Sequence, residues 1–200
     1  MPRQLLAVLL SFLPAIAAQA QEARGMSWGS SSNDATGSGV VFVGCHGLPR
    51  SAQGGCDAYQ GDTDCRLALP LLCISVDGRP RPGGLITAGK GHAMPADFYA
   101  GWAAGEVRAG WRVAGLRLRS RAAADALCAT QFGNGWRLAE FHDGVREGSG
   151  ENGVPASHGG WAFYANGALA QDTRYWVANF DTAANCWDKS AVQQMPQISR

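Results

Sequence analysis

The sequence predicts an α+β fold of antiparallel sheets with one main helix at about residues 120–132, glycine-rich loops and disulfide staples. Three observations predict it. Short β-branched and aromatic runs are cut by glycine, proline and asparagine clusters, the pattern of strands separated by turns. The stretch from Ser120 to Phe132 carries apolar residues at helical spacing, so it presents one face to a core. Six cysteines suit an oxidising compartment and up to three disulfides.

The ends are expected to lie outside this fold. Arg3 supplies a positive start, Leu5 to Leu13 an apolar stretch too short to span a bilayer, and Ala18-Gln19-Ala20 a small-residue cleavage site. These features predict a signal peptide over 1–20 and an exported, periplasmic or secreted protein. Residues 21–38 include SWGSSSNDATGS, which reads as a flexible arm. The domain is expected over 39–190, with a tail over 191–200. No later apolar run is long enough for a membrane span. Without Arg3 the 17 basic residues become 16, equal to the 16 acidic ones. A net charge of about zero argues against nucleic acid or an anionic membrane surface as partner. Glycine, 27 of 200 residues, is about double the usual share of roughly 7%.

In chain order, Val40 to Val43 reads as the first strand, a β-branched and aromatic run between glycines. Cys45, Cys56 and Cys65 follow in a loop-rich segment expected to take its shape from disulfides. Leu69 to Val76 is a continuous apolar run with Cys73 inside it and predicts a buried strand ended by Asp77-Gly78. Arg79 to Gly84 is a Pro/Gly loop. Gly110 to Arg119 alternates, with Trp111, Val113, Leu116 and Leu118 expected inward, and the slip in phase at Ala114-Gly115 predicts a bulge there. Ser120 is positioned as the helix N-cap, Ala124, Leu127 and Cys128 share the apolar stripe, and Gly133 to Gly135 end the helix. Trp136, Leu138 and Phe141 continue as a strand. Gly144 to Gly160 is a long polar loop, a length that points to function or disorder. Asn166-Gly167 predicts a hairpin between Trp161–Tyr164 and Ala168–Ala170. Tyr175 to Phe180 is the last strand, and the chain from Lys189 is expected to be peripheral.

The order Ala124, Cys128, Gly133, Leu138-Ala139, then Tyr175-Trp176-Val177 and Cys186, resembles the second half of C-type lectin-like domains over residues 116–188. That resemblance implies a C-type-lectin-like fold and a bond between Cys128 and Cys186. It leaves the pairing of Cys45, Cys56, Cys65 and Cys73 open. Only residues 178–185 separate Val177 from Cys186, where the family carries its long calcium and sugar loop, and its Glu-Pro-Asn and Trp-Asn-Asp motifs are missing. The resemblance is therefore to a compact exported bacterial form that contacts protein or glycan without calcium.

Several residue sets invite chemistry, each beside a plainer reading. Gly84 to Lys90 matches the opening of a phosphate-binding loop, but Gly91 stands where Ser or Thr should hold magnesium. Cys45-His46 with Cys56 and Cys65 could ligate zinc, yet the spacing fits no common zinc site. Asp57, Asp62 and Asp64 could favour calcium, while solvated turn aspartates are the simpler expectation. His142-Asp143 and His158, with Ser149 or Ser157 nearby, suggest a hydrolytic arrangement without a nucleophile elbow. Trp111, Trp136 and Trp176 are expected in the core. Trp161, Tyr164, Asn166, Asp181, Asn185 and Asp188 form the candidate ligand-binding set, in which aromatic faces stack and polar ends orient, against a reading as hairpin and capping turns.

The expectation is thus a monomeric, exported, non-catalytic module that binds a protein or glycan at the cell envelope. No cofactor is expected, with calcium as the alternative. An envelope hydrolase near His142 and His158, or a purely structural envelope protein, are the competing readings.

Overall fold

Six strands close on one another into a barrel in the computed structural model, which describes residues 23–33, 39–45, 56–82, 100–144, 161–171 and 173–193. The strands are β1 (Arg24–Gly25), β2 (Ser27–Asn33), β3 (Val40–Gly44), β4 (Thr63–Asp64), β5 (Ala68–Val76), β6 (Ala100–Ala114), β7 (Trp136–Leu138), β8 (Ala162–Gly167) and β9 (Arg174–Trp176). Around the barrel the order is β6, β8, β3, β2, β9, β5, and the pairing of β5 with β6 closes it. Four of those contacts are antiparallel, while β6–β8 and β5–β9 are parallel. Closure removes the exposed edges that an open sheet would offer to other chains. β1 and β4 form a separate two-stranded ribbon. β7 pairs with β5 on the side that β5 also offers to β9.

The interior follows from the period of two. Trp28, Val41, Val43, Leu72, Ile74, Val107, Phe163, Ala165 and Tyr175 share one buried cluster. Their neighbours Val40, Phe42, Tyr164, Leu71, Cys73 and Trp176 fall into two clusters on the other face. This explains why β5 is apolar throughout. Its odd and even residues serve different layers.

The arm expected over 21–38 is corrected by this arrangement, since β1 and β2 lie within it and Trp28 is wholly buried. β2 is small and polar apart from Trp28, yet Ser27 to Ser30 are buried and the strand lies between β3 and β9. Gly29 lies between Gly44 of β3 and Arg174 of β9, and the fully buried Ser27 accepts a 2.7 Å bond from Arg174 Nε. Burial pulls the Arg174 pKa down from its usual value, although the charge of Asp62 works the other way.

The main helix, α1 (Arg121–Phe132), packs outside the barrel on β5. Ser120 Oγ accepts from Ala123 N at 3.1 Å, and Gly133 and Gly135 leave the helix at φ +104° and +90°. Asp125 Oδ1 accepts from Leu138 N at 2.9 Å, which ties the helix to β7. The bond between Cys128 and Cys186 is corrected. Cys128 is joined to Cys73, Cys65 to Cys186, and Cys45 to Cys56, with Cα separations of 5.6, 5.8 and 5.1 Å. Cys128 faces β5 from the buried stripe of α1, and Cys186 opens a second helix, α2 (Cys186–Gln193), beside β1. Residues from Lys189 to Gln193, expected as a periphery and tail, belong to that helix.

Three further expectations are corrected. The bulge lies at Gly110–Trp111, where β5 advances from Pro70 to Leu72 while β6 runs from Arg112 to Ala109. A Cβ on Gly110 would stand 2.8 Å from Cys73 Sγ, so the strand can pass the disulfide only at glycine. Trp111 then turns outward and is 46% exposed, and Leu116, on a short 3-10 turn, is 52% exposed. Asn166-Gly167 makes no hairpin, because β8 runs through it with Asn166 paired to both Val40 and Glu106. Gly167 is needed there for its φ of +144° and because a Cβ would meet Val107 O at 2.4 Å.

Candidate functional site

One end of the barrel, where β3 finishes and β8 begins, gathers aromatic and acidic side chains from four loops. The Cys45–Cys56 disulfide and the 2.9 Å bond from Cys45 N to Trp161 O hold the first two loops together. Asp57 Oδ1 accepts from Tyr59 N and Gln60 N at 2.8 and 2.9 Å, shaping a tight turn that lifts Tyr59 to 64% exposure. The Tyr59 and Trp161 rings meet edge to face at 6.1 Å, and Trp161 meets Phe141 in the same way at 5.2 Å. Phe141 in turn stands over Trp28 in the barrel interior, at 5.9 Å. The aromatic rim is therefore continuous with the core.

Acidic groups complete the circuit. The imidazole of His142 lies 4.9 Å from the Phe141 ring. His142 Nδ1 bonds Glu140 Oε1 at 2.9 Å, and Nε2 stands 3.2 Å from Asp181 Oδ2. Glu140 is nearly buried, whereas Asp181 is 68% exposed at its side chain. The turn carrying Glu140 and His142 is braced by Asp143, which accepts from Glu140 N at 2.7 Å and from both terminal nitrogens of Arg137. Burial opposes the Arg137 charge, yet the hydrogen bonds and charge of Asp143 more than offset it and hold the guanidinium above its usual pKa. From the other side, Asn179 Nδ2 and Thr182 Oγ1 both donate to Ala58 O, at 2.8 and 2.6 Å. The Asp181 loop is thereby latched to the Tyr59 loop.

Of the six residues expected to bind ligand, the structure brings Trp161 and Asp181 to this rim. Asn185 and Asp188 support it from beneath. Asn185 Oδ1 accepts from Asn179 N, its Nδ2 donates to Asn179 O and to Asp188 Oδ2, and Asp188 Oδ2 also caps Asn185 N, so both act as capping groups. Tyr164 and Asn166 are not part of the site. Tyr164 is buried against Phe42 on the barrel's outer face, and Asn166 sits at the far end of β8 from Trp161. Tyr59 and Glu140 are the rim residues that sequence reasoning missed. An aromatic residue inside an Asp57-to-Gly61 turn, and the Glu-x-His spacing of Glu140 and His142, are the signals that could have found them.

The other candidate chemistries resolve by geometry. Asp57 caps its own turn, Asp62 Oδ1 accepts from Asp57 N at 3.3 Å, and Asp64 pairs with Arg66 at 2.5 Å. The hydrogen bonds of Arg66 hold the Asp64 carboxyl below its usual pKa. All three carboxylates are thus engaged within their own turn. Cys45, Cys56 and Cys65 are all disulfide-bonded, and among the described residues no group of three His, Cys, Asp or Glu side chains could hold a metal ion. Nδ1 of His142 is bonded to Glu140 and Nε2 stands beside the Asp181 carboxylate. His46, the glycine loop to Lys90, Ser149, Ser157 and His158 lie outside the described residues, as do residues 1–20, where a signal peptide is expected, and residues 194–200.

Among the described residues no helix is long and apolar enough to cross a membrane. A scan against protein-family models found no match to this chain, and neither a search of curated proteins nor one of solved structures found one.

Proposed function

We propose that this chain is an exported, non-catalytic binding module whose ligand, a glycan or a protein at the cell envelope, docks on the barrel end formed by Tyr59, Trp161, His142 and Asp181. The observation that carries the reading is the exposed Tyr59 ring beside Trp161, on the same rim as the exposed Asp181 carboxylate. Aromatic faces supply stacking area at small entropic cost, and a fixed carboxylate accepts hydrogen bonds from hydroxyls. Of the two ligand classes, a glycan suits that combination better. The pairing of His142 with both Glu140 and Asp181 fits a role in positioning the Asp181 carboxylate rather than in proton transfer. The resemblance to C-type lectin-like domains contributes only the expectation of ligand binding, and the Cys73–Cys128 bond lends it no support.

A glycan array probed with the exported protein, alongside affinity capture from envelope fractions, tests the reading. Binding in either experiment that weakens in Trp161→Ala and Tyr59→Ala supports it. Silence of the wild-type protein in both overturns it.

A further inference from the structure

Two polar groups inside the barrel meet no hydrogen-bonding group among the described residues: the indole N–H of Trp28 and the hydroxyl of Ser30. Both residues are wholly buried. They stand two apart on β2, so their side chains project to the same, inward face, with Cα atoms roughly 6.6 Å apart along the strand. The partners opposite them are Tyr175 for Trp28 and Val43 for Ser30, and Phe141 and Phe163 flank the indole. Neither polar group finds a hydrogen-bond partner among these or the other described residues, and the Tyr175 hydroxyl turns its hydrogen to Ala170 O at 3.1 Å. Polar groups buried this deeply are costly unless satisfied, and in folded proteins nearly all are met by protein or by ordered water.

We propose that the barrel interior holds one internal water molecule bridging Trp28 Nε1 and Ser30 Oγ. The water accepts the indole N–H and exchanges a hydrogen bond with the hydroxyl. Two such bonds of about 2.8 Å each span up to roughly 5.6 Å, within reach of side chains on neighbouring inward positions of one strand. The register shift between Ser30 and Ser32 leaves Ser31 unopposed on β3, and a bulged residue frees backbone groups that a water can use. The small, hydroxylated residue at position 30 thus has a role in the apolar interior that alanine or valine would not fill.

The test is water-to-indole cross-relaxation by NMR on protein labelled at the tryptophan ring nitrogen, together with a crystal structure at high resolution. The expected result is a long-lived water contact to the Trp28 indole hydrogen, and one ordered water within hydrogen-bonding distance of both Nε1 and Oγ. Ser30→Ala should abolish or sharply weaken the water signal at Trp28 while the fold is retained. Should that variant fail to fold, the wild-type measurements decide alone. No water contact at the indole, a water touching only one of the two atoms, or an unchanged signal in a folded Ser30→Ala protein overturns the proposal.

Discussion

Cys128 in the middle of α1 is bonded to Cys73 in the middle of β5, with Cα atoms 5.6 Å apart. One covalent bond therefore fastens the outer helix to the barrel wall at the strand that pairs with β6, β7 and β9. The two cysteines are separated by 55 residues, and in the chain-entropy account closing such a loop stabilises the fold by about 4 kcal/mol. Replacing both with alanine should lower the unfolding free energy in denaturant by that order. Peptide mapping under non-reducing conditions should find Cys73 with Cys128 and Cys65 with Cys186. A Cys128–Cys186 peptide would contradict the arrangement.

The Ser120 cap should be measurable apart from packing, because Ser120 is exposed and its hydroxyl serves the Ala123 amide. Ser120→Ala should cost about 1 kcal/mol in chemical denaturation, and Ser120→Gly only a few tenths. Equal losses in the two variants would show that the hydroxyl is not acting as a cap.

Gly101 at the start of β6 passes so close to the turn after Phe141 that a Cβ would lie 1.6 Å from Gly144 O. Gly101→Ala should therefore destabilise by about 1–3 kcal/mol or more, the range of overpacking in a tight interior. It should also disturb the rim, since that turn carries His142. An unchanged melting temperature would show that the approach is not as close as described.

Tyr175 gives the pH dependence a sign. Burial raises its hydroxyl pKa above the usual value near 10. A folded-state pKa above the unfolded one means stability fully present below about pH 10 and lost as pH rises through the folded value. Tyr175→Phe should lose about 1 kcal/mol at neutral pH, the scale of one hydrogen bond, and should flatten the alkaline slope. Ultraviolet titration should show at least one of the four tyrosines resisting ionisation until the protein unfolds. Four tyrosines titrating together in the folded protein would contradict this.

What was legible in the sequence is what neighbours along the chain decide. The Ser120 cap, the glycine exit at Gly133, the Asp77-Gly78 stop and the apolar run of β5 all depend on residues within a few positions, and all are present. β2 was illegible because its strand character comes from pairing with β3 and β9 on either side, while its own small, polar residues read as an arm. The disulfide partners and the bend at Gly110 are likewise set by three-dimensional approach, as the Cys73 sulfur beside Gly110 illustrates. At the rim, Trp161 and Asp181 were found by residue type alone. Tyr59 and Glu140 join them only because a disulfide and two loop latches bring separate segments together.

The central claim is that ligand meets the protein at the Tyr59, Trp161 and Asp181 rim. It is tested most directly by titrating the tightest array ligand calorimetrically against the wild type, Tyr59→Ala, Trp161→Ala, Asp181→Asn and, as a control, Trp111→Ala, which removes an exposed tryptophan on β6. The rim variants should bind at least about tenfold more weakly, a loss of roughly 1.4 kcal/mol or more each, with the control unchanged. Full affinity in all three rim variants, or loss confined to Trp111→Ala, would contradict the account.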